Sequence, residues 1–155
     1  MPEETQVTET TQVTGVTPVY DLKFGVTIGG RSASEFTVVK DAESLSIAID
    51  GNIEEWNPLD QGGWARRLMT AKSLTVSMGG KRNFGDPGND YVAGLAFKNG
   101  QDCNSNFQVE FPDGATLKFP CVINVTSMGG DSTATNALEW EALSDGAPIY
   151  TAAGQ

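Results

Sequence analysis

The chain has no histidine, only two cysteines, half as many cations as acids and no long apolar run, and each shortage excludes something. Without histidine the commonest general base is gone, and with it the usual hydrolase triads and most catalytic zinc sites. Cys103 and Cys121 are too few for a disulfide framework and lack the paired spacing of a zinc site. No stretch approaches the roughly 20 apolar residues of a membrane span. The opening Met1-Pro2-Glu3-Glu4-Thr5 carries neither the basic nor the apolar region of a signal peptide, so the expectation is a protein used without secretion and without a membrane. Ten Lys and Arg against twenty Asp and Glu leave a formal charge of −10, which repels a nucleic-acid backbone and argues against specific binding to one.

What is present points to a β protein. The 155 residues suit one domain with a real core, and 18 scattered glycines with 7 prolines suit many turns. Residues 1–17 form a leader of Thr, Val, Glu and Gln with no aromatic, Leu or Ile; residues 18–155 then form a single β domain. A leader of that composition is disordered alone yet has high β propensity, which leaves two readings, an arm that adds itself to a neighbour's sheet or a frayed terminus. Strands are predicted over 19–27, 35–39 and 44–50, the last with Leu45, Ile47 and Ile49 on one face. Asp50-Gly51-Asn52 predicts a turn and 54–63 a long loop broken by Pro58 and Gly62-Gly63; residues 64–68 read as one helical turn. Alternation resumes over 72–79. Asp86 as a cap, Pro87 in the first turn and Tyr91, Val92, Leu95 and Ala96 at helical spacing predict one helix over about 87–98, closed by Asn99-Gly100.

Phe107, Val109 and Phe111, the turn Pro112-Asp113-Gly114, and Leu117, Phe119, Cys121, Ile123 and Val125 make the clearest hairpin. A strand from 115 to 127 would run on the order of 40 Å, so it bends or outruns its own core, and Pro120 needs an edge or bulge. Cys121 falls on the apolar face; Cys103 lies in a polar loop. A last strand over 137–143 buries Trp140 and points Glu139 and Glu141 outward.

None of the chemically suggestive groups assembles a site. Gly80-Lys81 has Thr75 where a phosphate loop needs its first glycine. Asp86, Asn89 and Asp90 carry oxygens that calcium accepts, but capping and charging a helix N-terminus explains them better. Asn124-Val125-Thr126 matches a glycosylation acceptor inside a strand, a chance match. Glu54 with Glu55 is the pair an acid-catalysed enzyme would use, and Trp56 with Trp64 the pair that a small β-sandwich adhesin or carbohydrate-binding module would use. Charge is segregated: Arg66, Arg67, Lys72, Lys81 and Arg82 supply five of the ten cations, while from residue 83 onward only Lys98 and Lys118 oppose nine acids. That pattern suits either a self-complementary assembly or ordinary solvated charge.

Taken in order, Trp64-Ala65-Arg66-Arg67-Leu68, Lys72-Ser73-Leu74-Thr75-Val76-Ser77, Gly80-Lys81-Arg82-Asn83-Phe84-Gly85-Asp86-Pro87-Gly88-Asn89-Asp90-Tyr91, Phe111-Pro112-Asp113-Gly114, Ile123-Asn124-Val125-Thr126 and Leu138-Glu139-Trp140 with Asp145-Gly146 resemble the major tail tube proteins of bacteriophages with long, non-contractile tails. The resemblance spans about residues 20 to 150 and is firmest from 64 to 146. It implies a mainly β fold, a sandwich or half-barrel of about seven or eight strands with one flanking helix, completed as a barrel between subunits. It implies rings of six copies stacked into a hollow virion tube, made in the bacterial host cytoplasm, through which the genome passes. Expected partners are the chain's own copies, a tape-measure protein, and terminator and distal tail proteins; DNA passes an acidic lumen without specific binding. No enzymatic role, cofactor or metal is expected. The contact candidates are Val7, Val13 and Val16 in the leader, Glu54, Glu55, Trp56 and Trp64 in the loop, and the cations Arg66, Arg67, Lys81 and Arg82. The hairpin over 105–127 is expected to supply strands to the shared barrel.

Overall fold

The computed structural model describes residues 13–153, so Val7 of the leader lies outside the described residues. Residues 13–18 run exposed into a single 3-10 turn, Val19–Asp21. Eight antiparallel strands follow: β1 Lys23–Thr27, β2 Phe36–Thr37, β3 Ala42–Trp56, β4 Arg66–Lys81, β5 Asn104–Glu110, β6 Thr116–Gly129, β7 Ala137–Ser144 and β8 Ile149–Thr151. One α-helix, α1 (Pro87–Gly94), sits between β4 and β5. The sheet runs β2-β1-β5-β6-β7-β4-β3 without closing, and β8 pairs with the first residues of β6. This is the mainly β half-barrel with one helix that the resemblance implies.

The period-two pattern reappears as burial. Ser105, Phe107 and Val109 of β5, Leu117, Phe119, Cys121 and Ile123 of β6, Leu138, Trp140 and Ala142 of β7 and Leu74, Val76 and Met78 of β4 all point to one interior. Phe107 is its hub, with ring centroids 5.7 Å from Phe119, 6.0 Å from Trp140 and 6.1 Å from Phe24. Those spacings suit tilted and offset aromatic packing and hold β1, β5, β6 and β7 around one point. The sheet curls about this cluster until Leu22 and Phe24 on one side and Ala42 and Leu45 on the other flank a groove of about 350 Å³. That groove is the seam at which the half-barrel stays open.

β6 accommodates its length by changing partners. Its first half pairs with β5 and β8, its second half with β7. Pro120 falls at the changeover, where its carbonyl accepts the Asp145 N–H at 2.8 Å and its missing N–H costs no strand pairing. The turn that opens β6 has Gly114 at φ 95°, a conformation costly for a residue with a Cβ, and the Asp113 carboxylate accepts the Ala115 N–H.

Several boundaries differ from the sequence expectation. The turn at 50–52, the first part of the 54–63 loop and the end of the 64–68 helical turn are replaced by strand: β3 continues to Trp56 and β4 begins at Arg66, and only residues 57–65 form a connection, with a 3-10 turn at Leu59–Gln61. Gly51 and Asn52 read locally as a turn, but ladder pairing with β4 overrides that preference. β3–β4 is therefore a second overlong hairpin, beside β6, whose 14 residues match the long strand expected over 115–127. α1 ends at Gly94, a turn earlier than predicted; Leu95, Ala96 and Lys98 donate to carbonyls three residues back, and Phe97 is left 91% exposed. β1 starts at Lys23, after the 3-10 turn, and β2 keeps only Phe36–Thr37. Among the described residues no helix is long and apolar enough to cross a membrane.

Cys103 and Cys121 are both buried free thiols, and Cys103, which the sequence left unplaced, closes a short 3-10 turn with its thiol 3.3 Å from the Lys98 carbonyl. Burial pushes Cys121 from 9.0 up to about 12, with the Arg31 charge opposing the shift in part. A folded-state value above the unfolded one gives stability that is full below pH 9 and falls as pH climbs from about 9 toward about 12. Urea unfolding at pH 8 and pH 10.5 should show this loss, and Cys121→Ala should remove that part of the slope.

Candidate assembly interface

β3 and β4 pair from Ala42 opposite Gly80 to Trp56 opposite Arg66, but only their near halves belong to the core. β7 pairs with β4 no further than Thr75, and beyond that point residues 49–56 and 66–73 are exposed on both faces. At about 3.3 Å per residue this two-stranded arm projects roughly 25 Å. An isolated ribbon of that kind is marginal in water. Its inward-facing side nevertheless extends the apolar stripe of the sheet through Ile49, 65% exposed, Ile53 and Met69. Met69 lies across Gly51, whose missing side chain makes room: a Cβ there would sit 2.8 Å from the methionine sulfur.

Sheet edges add to this exposure. The outer edge of β3 has no strand beside it among the described residues, over a strand of 15 residues. Residues 123–129 of β6 likewise have no strand on their outer side, because β5 pairs only as far as Val122. These two free edges bound a four-strand layer, β6-β7-β4-β3, in which every neighbour is antiparallel. A third free edge is that of β4 over 66–74, past the end of β7, where the Leu74 N–H turns to the Ser144 hydroxyl at 2.9 Å.

The layer's face away from the core is small, polar and acidic. Ser44, Ser46, Ala48 and Asp50 of β3 stand beside Ser73, Thr75, Ser77 and Gly79 of β4, and these beside Glu139, Glu141 and Leu143 of β7, with Asn124 and Ser127 of β6 beyond. Asn124 donates to Glu141 at 3.1 Å. Between Thr75 and Gly79 on β4, and across these β7 and β6 positions, no cation shares that face.

The predicted contact residues fall into three places. Glu54, Glu55, Trp56, Arg66 and Arg67 come together near the arm's far end, with Trp64 in its connecting turn, 78% exposed. Arg67 reaches Glu55 at 3.4 Å, and the Arg66 guanidinium stands 6.0 Å from the Trp56 ring centre. Val13 and Val16 are exposed in the stretch before β1. Lys81 and Arg82 lie at the other end of β4, about 50 Å from Arg66 along the strand. Lys81 is 3.4 Å from Glu43, whereas Arg82 is drawn inward.

Arg82 belongs to a polar junction built by the Gly80–Tyr91 sequence. The buried Asn89 amide is its centre: its oxygen accepts from Arg82 at 2.9 Å and the Asn83 N–H at 3.0 Å, and its nitrogen donates to the Lys40 carbonyl at 3.1 Å and the Lys81 carbonyl at 2.9 Å. Asp86 caps the helix through the Asn89 N–H at 2.9 Å and also accepts the Lys40 N–H at 3.1 Å; Asp90 binds Arg82 at 2.8 Å. Asp86, Asn89 and Asp90 are thus already engaged by protein donors. A Cβ at Gly88 would collide with the Val38 carbonyl and one at Gly80 with that of Asp41, so both glycines are demanded by close backbone approach.

The sequence reading missed the outer edges of β3 and β6 and the layer's polar face as a unit, because periodicity tells which face of a strand is buried and nothing about which strand is last. One signal was available: β3 contains Glu43, Asp50, Glu54 and Glu55 and no cation, while β4 contains Arg66, Arg67, Lys72 and Lys81 and no acid.

The fold is similar to that of a chain from the tail of an empty gene transfer agent particle, solved with helical refinement and C6 symmetry: TM-score 0.72 at 22% identity, covering 88% of this chain and 100% of that one. It is similar as well to a chain in the virion of a native gene transfer agent particle, with TM-score 0.69, 22% identity and the same coverage of 88% and 100%. No protein-family model and no curated protein matches the sequence. At this identity the likeness is one of fold, and at that level it bears out the tail tube resemblance.

The junction and the arm should respond oppositely to mutation. Asn89→Ala leaves several buried groups unpaired and is expected to cost about 3 kcal/mol. Trp64→Ala is expected to stay within about 0.5 kcal/mol, because it removes an exposed side chain. Chemical denaturation of the two variants checks both.

Proposed function

We propose that this chain is a structural subunit of a phage-type tail tube, a non-enzymatic virion protein that assembles with its own copies into six-membered rings stacked around a hollow passage for the genome. The observation that carries this reading is the alternating layer β6-β7-β4-β3 with a free outer edge at each end among the described residues. Setting the β3 edge of one copy beside residues 123–129 of the next keeps the antiparallel alternation unbroken, so identical copies extend the sheet head to tail and close a ring. The C6 symmetry of the similar gene transfer agent tail supports a count of six.

Six copies giving four strands each make a barrel of about 24 strands, and strand spacing near 4.8 Å with a tilt of about 40° gives a backbone diameter of about 50 Å. That is wide enough for a nucleic-acid duplex. With the face of Asp50, Glu139 and Glu141 turned to the passage, the lining repels phosphates and lets the genome slide. The arm and the leader then reach neighbouring subunits and rings, and a tape-measure protein, terminator and distal tail proteins complete the tail. Compared with a carbohydrate-binding module, this reading accounts for the free edges and the exposed arm as well as for the fold.

Concentrated full-length protein is expected to form rings and stacked tubes in negative-stain images. Protein that stays monomeric at every concentration and ionic strength tried overturns the reading. Tubes of a Glu139→Lys, Glu141→Lys variant should retain duplex DNA at low salt at least tenfold more than wild-type tubes, measured by co-sedimentation. Equal retention would show that this face does not line the passage.

A further inference from the structure

The β3–β4 arm carries its charge by strand, and this has a consequence for how copies meet. Glu43, Asp50, Glu54 and Glu55 all lie on β3, and Arg66, Arg67, Lys72 and Lys81 all lie on β4. Within one ribbon the segregation accomplishes little. Its two close ion pairs, Glu55 with Arg67 and Glu43 with Lys81, each at 3.4 Å, join side chains that are 41% to 62% exposed, where such pairs are worth little. Interleaved signs would serve intrachain pairing equally well, because cross-strand and diagonal neighbours are both within reach.

Between copies the segregation matters. A long free edge strand can pair with an identical strand across a two-fold axis, and β3, with 15 residues and no strand on its outer side among the described residues, is such a strand. Two β3 edges brought together in full overlap would set Glu43 of each copy against Glu55 of the other, with no cation on either strand to offset them, and like charges across a strand pair destabilise it. The opposite side of the molecule offers two different edges. Residues 123–129 of β6 are uncharged, and two strands nearer β3, past the end of β7 at Ser144, the free edge of β4 carries Arg66, Arg67 and Lys72. Both edges lie on the side of the layer away from β3.

We propose that the segregated charges of the arm set the polarity of self-association: the acidic far half of β3 in one copy is recognised by the basic β4 edge of the next, and two-fold β3–β3 pairing is disfavoured. The partner is a second copy of this chain, met head to tail, and the inference rests on the ring-forming reading above. Complementary charge here acts on the choice of partner edge more than on affinity.

The test uses two charge-reversed full-length chains, one with Glu54→Lys and Glu55→Lys, the other with Arg66→Glu and Arg67→Glu. Each alone should lose at least tenfold of its ring-forming fraction at low salt, while circular dichroism and thermal melts stay as in wild type. An equimolar mixture should regain rings, and native mass spectrometry with one chain isotopically labelled should find the two in equal numbers. A chain with all four substitutions should form rings by itself. The inference is overturned if either two-site variant forms rings as wild type does, or if only the four-site chain recovers, since the charges would then act within one ribbon. Wild-type protein that forms no rings would instead defeat the tube-subunit reading, and ring-forming wild type without rescue by mixing defeats only the present inference.

Discussion

Backbone groups that lack a partner on one side are the constraint from which the rest of this architecture follows. A strand inside a sheet has neighbours on both sides, whereas β3 has one along its whole length and the second half of β6 has one along its own. Free edges of that length are usually short, covered or broken by bulges in a protein that works alone. Here the register irregularities in β3–β4 lie near its ends, between Ala42 and Ser44 and between Asn52 and Ile53, and leave the stretch between them regular. The exposed apolar stripe of the arm points the same way, since Ile49, Ile53 and Met69 continue a core that this chain does not cover.

Against that open periphery stands a rigid centre. Phe107 joins four strands through aromatic contacts, and Asn89 ties the helix start to the ends of the 36–41 segment and β4. The division of labour is physical: buried, fully partnered groups fix the half-barrel, and exposed, half-partnered ones are left for contact. The Gly80–Tyr91 sequence, the most conspicuous motif in the chain, belongs to the first set. Its glycines permit backbone approach and its polar residues satisfy one another, so its role is to hold the fold.

Much of this was legible in the residues. The β5–β6 hairpin, the burial of Trp140 and Cys121, the cap at Asp86 and the overall class follow from period and turn chemistry, which are local. The extension of β3 through Gly51 and Asn52 was not legible, because both residues favour turns and only pairing with Lys72 and Ala71 decides otherwise. The helix overreached for a related reason: Leu95 and Ala96 keep helical spacing, but the chain tightens after Gly94 and leaves Phe97 in solvent. For the contact residues, sequence singled out Glu54, Glu55 and Trp56 as loop features and Arg66 and Arg67 as members of a cation group, and the ladder brings them to one arm. It also grouped Lys81 and Arg82 with them by proximity in the chain, whereas β4 carries those two to its opposite end.

The open layer also bears on cooperativity. In the proposed head-to-tail growth, a pair, a trio or a longer open arc of copies would still end in one bare β3 edge and one bare β6 edge, the two that bound the layer of a lone copy. Each addition satisfies one junction and recreates the same two ends, and only the closing step removes both together. In the proposed ring, partial arcs would thus keep a vulnerability that the complete circle lacks, which would favour closed circles over open arcs.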